Sequence, residues 1–274
     1  MRENVEDKDP LLDISGLEVH FEPRRGIVRA VNEVDLTLYK GERFGLAGES
    51  GSGKTTMILA LLRMIKTPGF IAGGKAVFDD GTDLLTLKGE QVRQTRLKRV
   101  AMVPQGAMNS LNPVIRIGEQ IVLTMREHGE EGSKEQLMQR VKGLLQKVGL
   151  NPEVTKLYPH ELSGGMKQRV CIAQAICLNP QLILADEPTS ALDVVVQRQI
   201  MQTLRQLQLD LNATVLLVGH DMGLMAQFVD RVGIMYDGKL VEVGTVSEIF
   251  RSPKHPYTQR LISSVPSFDW LATA

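Results

Sequence analysis

The chain has 274 residues, 43% of them hydrophobic and 23% charged, an ordinary soluble composition with length for one large core or a core plus a subdomain. Lysine plus arginine and aspartate plus glutamate each number 32, so the formal net charge is zero and no global basic field points to nucleic acid or an anionic membrane. No segment approaches the roughly 18 to 20 unbroken apolar residues of a spanning helix. Met1 to Pro10 is polar and acidic, without the apolar core of a signal peptide. The chain is therefore expected in the cytoplasm, with any membrane role that of a peripheral subunit. Cys171 and Cys177 make neither a metal cluster nor a disulfide framework and read as buried small apolar residues in a reducing compartment.

Leu11 to Phe21 and Val28 to Leu38 read as strands joined by the turn-rich link Glu22-Pro23-Arg24-Arg25-Gly26. In the second, Val34, Leu36 and Leu38 alternate with Asp35 and Thr37, the pattern of a half-buried strand. Phe44 to Ala47 is a short buried strand, and Thr56 to Met64 reads as a helix. Between them Gly48-Glu49-Ser50-Gly51-Ser52-Gly53-Lys54-Thr55 matches G-x-x-x-x-G-K-[ST], a phosphate-binding loop. Each residue type there has a task. The glycines let backbone N–H groups converge on phosphate oxygens, Lys54 adds a fixed positive charge, and Thr55 offers a hydroxyl to Mg²⁺. Strand, glycine loop and helix together put a helix N-terminus under a phosphate, which a chance glycine-rich turn does not do.

Lys75 to Asp79 and Val100 to Val103 are further strand candidates, and the basic run from Lys88 to Arg99 reads as a solvated helix face. From Ile115 to Leu150 the pattern turns helical: Leu137, Val141, Leu144, Leu145 and Val148 recur at three- and four-residue spacing until Gly149 and Asn151-Pro152 stop them. In Leu162-Ser163-Gly164-Gly165-Met166-Lys167-Gln168, Ser163 is a good N-cap and two glycines leave N–H groups open ahead of a helix from about Met166 to Cys177, a second anion site. Leu182-Ile183-Leu184-Ala185-Asp186-Glu187 is an apolar strand ending in two carboxylates. Asp186 can hold a water on Mg²⁺, while Glu187 points elsewhere and can orient or deprotonate an attacking water. A helix over Val194 to Leu209, strands over Thr214 to Val218 and Val232 to Met235, and a hairpin turn at Asp237-Gly238 follow. The order gives one α/β core around a nucleotide, with a helical insertion at residues 106–180.

At these motifs the chain resembles the nucleotide-binding subunit of an ATP-binding cassette transporter, over nearly its whole length. Gly48 to Thr55 matches the Walker A motif, Leu182 to Glu187 the Walker B motif with its catalytic glutamate, and Leu162 to Gln168 the signature motif. Gln105 after Val103-Pro104 matches the Q-loop glutamine, Ser190-Ala191-Leu192-Asp193 the D-loop, and His220 the switch histidine. Ser110-Leu111-Asn112-Pro113 with Ile117-Gly118-Glu119-Gln120-Ile121, and the later His255-Pro256-Tyr257-Thr258, resemble segments of the oligopeptide, dipeptide and nickel importer subfamily.

The resemblance implies an α/β P-loop ATPase core, a mixed sheet with flanking helices and an N-terminal antiparallel part, with an inserted helical subdomain. Residues 1–274 are then one ATPase domain with the insertion at 106–180 and a short tail at 246–274. It implies ATP and Mg²⁺ as cofactors. ATP would be bound by Gly48, Glu49, Ser50, Gly51, Ser52, Gly53, Lys54, Thr55 and Thr56 of one chain, and by Ser163, Gly164, Gly165, Gln168 and Asp193 of a facing chain. Thr55, Gln105 and Asp186 would serve the metal, and Glu187, His220 and Gln105 the hydrolysis. Implied partners are two transmembrane permease subunits, a second ATPase subunit of the same or a similar kind and, indirectly, an extracytoplasmic solute-binding protein. No nucleic acid is among them, and the location is peripheral, on the cytoplasmic face of the cell membrane.

Three positions depart from the family pattern. Gly106 stands where many relatives have aspartate after the Q-loop glutamine. Arg25 stands where many stack an aromatic ring on adenine, although a guanidinium can also lie on a π face. The chain ends at Ala274 without the C-terminal cysteine cluster of some peptide-importer ATPases, so no iron–sulfur cluster is expected. Other readings are a soluble cassette ATPase of DNA repair or translation, a non-hydrolysing ATP-switched binding module and a small-molecule phosphotransferase. The short insertion without cysteine pairs, the presence of Glu187 and His220, and the signature motif respectively weigh against them.

Overall fold

The computed structural model describes residues 9–22, 26–106, 110–190 and 192–264. Arg25 with the middle of its link, residues 107–109 of the helical region, Ala191 of the D-loop and the tail beyond 264 lie outside them. In chain order the elements are β1 (Pro10–Phe21), β2 (Val28–Tyr39), β3 (Arg43–Ala47), α1 (Lys54–Leu61), β4 (Gly69–Phe78), α2 (Glu90–Thr95) and β5 (Val100–Val103). Then come α3 (Ile117–Glu127), α4 (Lys134–Lys147), α5 (Gly164–Ala175), β6 (Leu182–Asp186), α6 (Val194–Leu211) and β7 (Thr214–Val218). The last are α7 (Met222–Phe228), β8 (Arg231–Tyr236), β9 (Lys239–Thr245), α8 (Val246–Arg251) and α9 (Pro256–Ser263). These residues form two compact units, one from Met1–Lys88 and Leu216–Ala274, the other from Gly89–Val215, and β7 crosses the chain boundary between them.

The first unit combines the two ends of the chain. Its antiparallel sheet has the order β2-β1-β4, and on β2 Val34, Leu36 and Leu38 are buried while Asp35 is exposed, as the alternation requires. β4 begins at Gly69, six positions before the expected Lys75. The glycine-rich start carries no strand pattern in its side chains, and it is the backbone ladder from β1, with Phe21 opposite Gly69 and Val19 opposite Ile71, that extends it. Helix α1 ends at Leu61, earlier than the apolar run suggests, because Arg63 turns into the left-handed region at φ 55°. β3 pairs with β8 in parallel and β8 with β9 in antiparallel. Both central strands are buried almost throughout, which is why they read as apolar runs. Asp237 and Gly238 both have positive φ, the turn a two-residue hairpin needs between β8 and β9.

The register of the β3–β8 pair is held by charge. Arg43 donates from Nη2 and Nε to the two carboxylate oxygens of Asp230 at 2.6 and 3.2 Å, and its N–H donates to the same carboxylate at 3.1 Å. In return the Asp230 N–H donates to the Arg43 carbonyl at 2.7 Å. Next to this pair the fully buried Glu42 accepts from Arg231 Nη1 at 3.1 Å and from the Tyr39 N–H. Burial pushes the Glu42 carboxyl above its ordinary range in spite of both donors.

In the second unit β5 and β6 pair in parallel, Val100 opposite Leu182. Helices α3 and α4 pack on each other and on a 3₁₀ turn at Pro152–Lys156, joining Ile117, Ile121 and Met125 to Leu137, Val141 and Leu145 in a buried cluster. Ser133 and Gln136 form a capping box that starts α4. Gln174 Nε2 donates to Thr124 Oγ1 at 2.9 Å, tying α5 to α3. Cys171 and Cys177 are free and buried, and burial pushes both thiols up to about 12, so they serve as small core residues.

Candidate active site

The expected site residues divide between the two units. Gly48 to Thr56 and His220 belong to the first; Gln105, Ser163, Gly164, Gly165, Gln168, Asp186, Glu187 and Asp193 belong to the second.

In the first unit the buried strand β3 delivers the chain into the glycine loop, which closes on the start of α1. Two glycines there admit no substitute. Gly48 has φ 147° and a Cβ on it would stand 2.1 Å from the Met235 carbonyl; Gly53 has φ 103° and a Cβ would stand 2.1 Å from the Ala30 carbonyl. The loop therefore lies flush against β8 and β2. Lys54, only 6% exposed, folds its ammonium back over the loop and donates to Gly48 O at 2.8 Å, Glu49 O at 2.6 Å and Ser52 Oγ at 3.1 Å. No side-chain hydrogen bond caps α1 and no acid stands in its first turn. A buried cation held by backbone carbonyls and a hydroxyl beside an uncapped helix start is built to receive a polyanion. His220 is exposed just beyond β7, where the Gly219 N–H donates to Leu46 O of β3 at 3.3 Å. Asp221, next in the chain, caps α7 by accepting from the Leu224 N–H at 2.9 Å.

In the second unit β6 ends in Asp186, 2% exposed, and the half-buried Glu187 follows. Glu187 adopts φ 42°, a left-handed backbone that a non-glycine residue holds only when its surroundings enforce it. The Ser190 N–H donates to the Glu187 carbonyl at 3.0 Å and closes that turn. Gln105, exposed after β5, donates from Nε2 to Glu187 Oε2 at 2.9 Å. The two acids thus face different surroundings, one sunk at the strand end and one held by an amide on a loop.

Ser163 caps α5 as its type suggests, accepting from the Met166 N–H at 3.3 Å, and Gly164 and Gly165 open the helix with no acid in the first turn. Gln168 is buried, 4% exposed, with no hydrogen-bond partner for its Nε2 among the described residues. Asp193 is the N-cap of α6, accepting from the Val196 N–H at 3.0 Å, so its carboxylate orders the segment that it ends. Two further residues of this unit escape motif reading, and a third, Gln120, lies in a quoted motif without an assigned task. Gln197 Nε2 donates to the Thr189 and Leu192 carbonyls and braces the turn between Glu187 and Asp193. Arg169 links α5 to the end of α4 through Val148 O and to α6 through Gln199 and Thr203. Gln120 accepts from the Asn112 N–H and donates to the Asn112 and Ile115 carbonyls, bonding the two halves of the Ser110-to-Ile121 segment to each other. For Gln120 the sequence signal is a long amide in an otherwise apolar helix face; Gln197 and Arg169 carry no such signal. Arg25 lies outside the described residues.

A family model described as ABC transporter matches residues 31–190. The chain belongs to the ABC transporter family. A second model, the oligopeptide/dipeptide transporter C-terminal region, matches residues 241–273 of this ABC transporter chain. The dipeptide transport ATP-binding protein DppD of Haemophilus influenzae is 44% identical to it over 260 residues, 94% of this chain and 78% of that one. The oligopeptide transport ATP-binding protein OppD of Bacillus subtilis is 41% identical over 262 residues, 94% of this chain and 73% of that one. Among solved structures, a dimeric post-hydrolysis state of the ATP-binding cassette MJ0796 bound to ADP and Pi superposes with a TM-score of 0.77 at 28% identity, covering 86% of this chain and 99% of that one.

Proposed function

We propose that this chain is the ATP-hydrolysing subunit of an importer for peptides or a related solute. The observation that carries the reading is Lys54, a buried ammonium held by three oxygen acceptors in a glycine loop that opens an uncapped helix. The peptide class is supported by the match of residues 241–273 to the oligopeptide/dipeptide C-terminal region and by the DppD and OppD relatives.

In this reading Lys54 and the loop N–H groups hold the β and γ phosphates, while Ser163, Gly164 and Gly165 meet the γ phosphate bound by a facing chain. Glu187, oriented by Gln105, polarises the attacking water. His220 contacts the γ phosphate and helps to stabilise charge as the bond breaks. Thr55, Asp186 and Gln105 offer the hard oxygen donors that Mg²⁺ accepts, and no cluster of three or more His, Cys, Asp or Glu among the described residues offers a cage. When bound, the ion would supply charge neutralisation at the phosphates. Residues 106–180 serve as the helical subdomain that docks on permease subunits, a role favoured by Val114, 77% exposed on the segment that Gln120 clamps. Among the described residues no helix is long and apolar enough to cross a membrane, which suits a peripheral subunit at the cytoplasmic face.

The test is phosphate release from Mg-ATP by the purified chain with and without co-expressed permease subunits of a peptide importer. Release that rises on reconstitution supports the reading; absence of release in both preparations overturns it.

A further inference from the structure

The segment around Tyr257 was singled out by its sequence and has no part in the chemistry above, yet it touches the phosphate loop. The Glu49 N–H donates to Tyr257 Oη at 3.0 Å, across 208 positions of chain. That N–H shares its peptide plane with the Gly48 carbonyl, which accepts from Lys54 Nζ at 2.8 Å. One peptide is thus held at both ends, by a phenol on one side and by the loop lysine on the other. An N–H given to the phenol is turned away from any phosphate, so the contact anchors the loop from behind.

Tyr257 is itself fixed. It is 3% exposed, and its ring lies 4.3 Å from that of Tyr236 at the end of β8, next to the Met235 carbonyl on which Gly48 rests. His255 Nδ1 accepts from the Tyr257 N–H at 3.2 Å and caps α9, and Pro256 occupies its first turn. Glu242 of β9 accepts from the N–H groups of Lys254 and His255 at 2.8 and 3.0 Å. These contacts account for each residue of His255-Pro256-Tyr257: a cap, a helix start and a hydroxyl.

We infer that Tyr257 is a positioning residue for nucleotide binding, its hydroxyl fixing the Gly48–Glu49 peptide and through it the Lys54 ammonium. The inference rests on the ATPase reading above, and it makes the C-terminal segment a determinant of nucleotide affinity.

The test is Tyr257→Phe in the full chain, which keeps the buried ring and removes one oxygen. Amide exchange at Glu49 should quicken, and Kd and KM for ATP should rise about 3- to 10-fold, the scale of one hydrogen bond, with kcat changed by less than about twofold. Unchanged affinity in Tyr257→Phe overturns the inference, as does an affinity lost only in Tyr257→Leu, which makes packing of the ring the whole role. Glu242→Ala, which frees two N–H groups before α9 and leaves the hydroxyl in place, should weaken ATP binding in the same direction but less, and it provides the reading if Tyr257→Phe folds poorly. Wild-type chain that binds no ATP refutes the ATPase assignment instead, and Glu49 exchange still reports the contact.

Discussion

Gln105 and Glu187, 82 positions apart, are joined by a 2.9 Å hydrogen bond from amide to carboxylate. The bond gives the loop after β5 direct control over the orientation of the acid after β6. A change at the loop then reaches the Glu187 carboxylate without passing through the strands.

Glu187→Gln keeps the shape of the side chain and removes its charge. ATP binding should persist while hydrolysis falls by about 10²- to 10³-fold, the loss expected for one well-placed catalytic group. Size measurement of this variant without Mg²⁺, with and without ATP, should show an ATP-dependent shift from monomer to dimer. Hydrolysis at the wild-type rate removes Glu187 from the water-orienting role.

Lys54→Ala empties the centre of the loop. The Gly48 and Glu49 carbonyls lose their shared donor, and nucleotide loses a positioned charge. Weakened ATP binding and abolished turnover are expected, measured by titration and by phosphate release. Normal hydrolysis would exclude the lysine from the mechanism.

Asp230→Asn strikes the register pair. Both partners are 14% exposed, and the asparagine cannot take both Arg43 N–H groups as a carboxylate does. A loss of about 2 to 4 kcal/mol in unfolding free energy is expected from urea denaturation, since Arg43 keeps its charge in a half-dry place. A midpoint equal to wild type would show that the strands hold their register unaided.

Glu242 makes a prediction about pH. Burial raises its pKa, but the nearby Thr258 hydroxyl and the hydrogen bonds from the Lys254 and His255 N–H groups together lower it further, so the folded value lies below the ordinary one. A depressed carboxylate stabilises the fold fully above its unfolded pKa, and that stabilisation is lost as pH falls through the folded value. Wild type should therefore exceed Glu242→Gln in urea midpoint at neutral pH, and the gap should close below about pH 4. A gap that stays constant with pH would show that the carboxylate charge contributes nothing.

Where a local residue pattern encodes a local shape, the sequence is readable. Ser163 before two glycines announces a capped helix, Asp237-Gly238 a hairpin, and the alternation of Val34, Leu36 and Leu38 a half-buried strand, and all three are present. The start of β4 was not readable, because its pairing partner β1 lies 50 or so positions earlier and its glycines carry no pattern. Asp193 reads as an interface residue, yet its oxygen is engaged in capping α6; a carboxylate before a helix has that second use, and pattern alone does not separate the two. Least readable are the contacts made across long stretches of chain: the Tyr257 hydroxyl on Glu49 and the Arg43–Asp230 pair. Tyrosine, arginine and aspartate are common, and only the fold says which of them meet.

The loop that begins at Gly48 is synthesised early, but its braces come late. Met235 and Asp230 stand on or beside β8, and the Tyr257 hydroxyl follows the Glu49 N–H by 208 residues. At bacterial and eukaryotic elongation speeds of about 5 to 20 residues per second, the nascent loop waits about 10 to 40 seconds for its last support. A ribosome that stalls or a message cut short in that interval yields a chain with the complete glycine motif but without the Tyr257 hydroxyl that fixes the Gly48–Glu49 peptide. Such a chain would hold nucleotide more weakly than the finished one, so completion of α9 sets the strength of a site encoded far earlier in the chain.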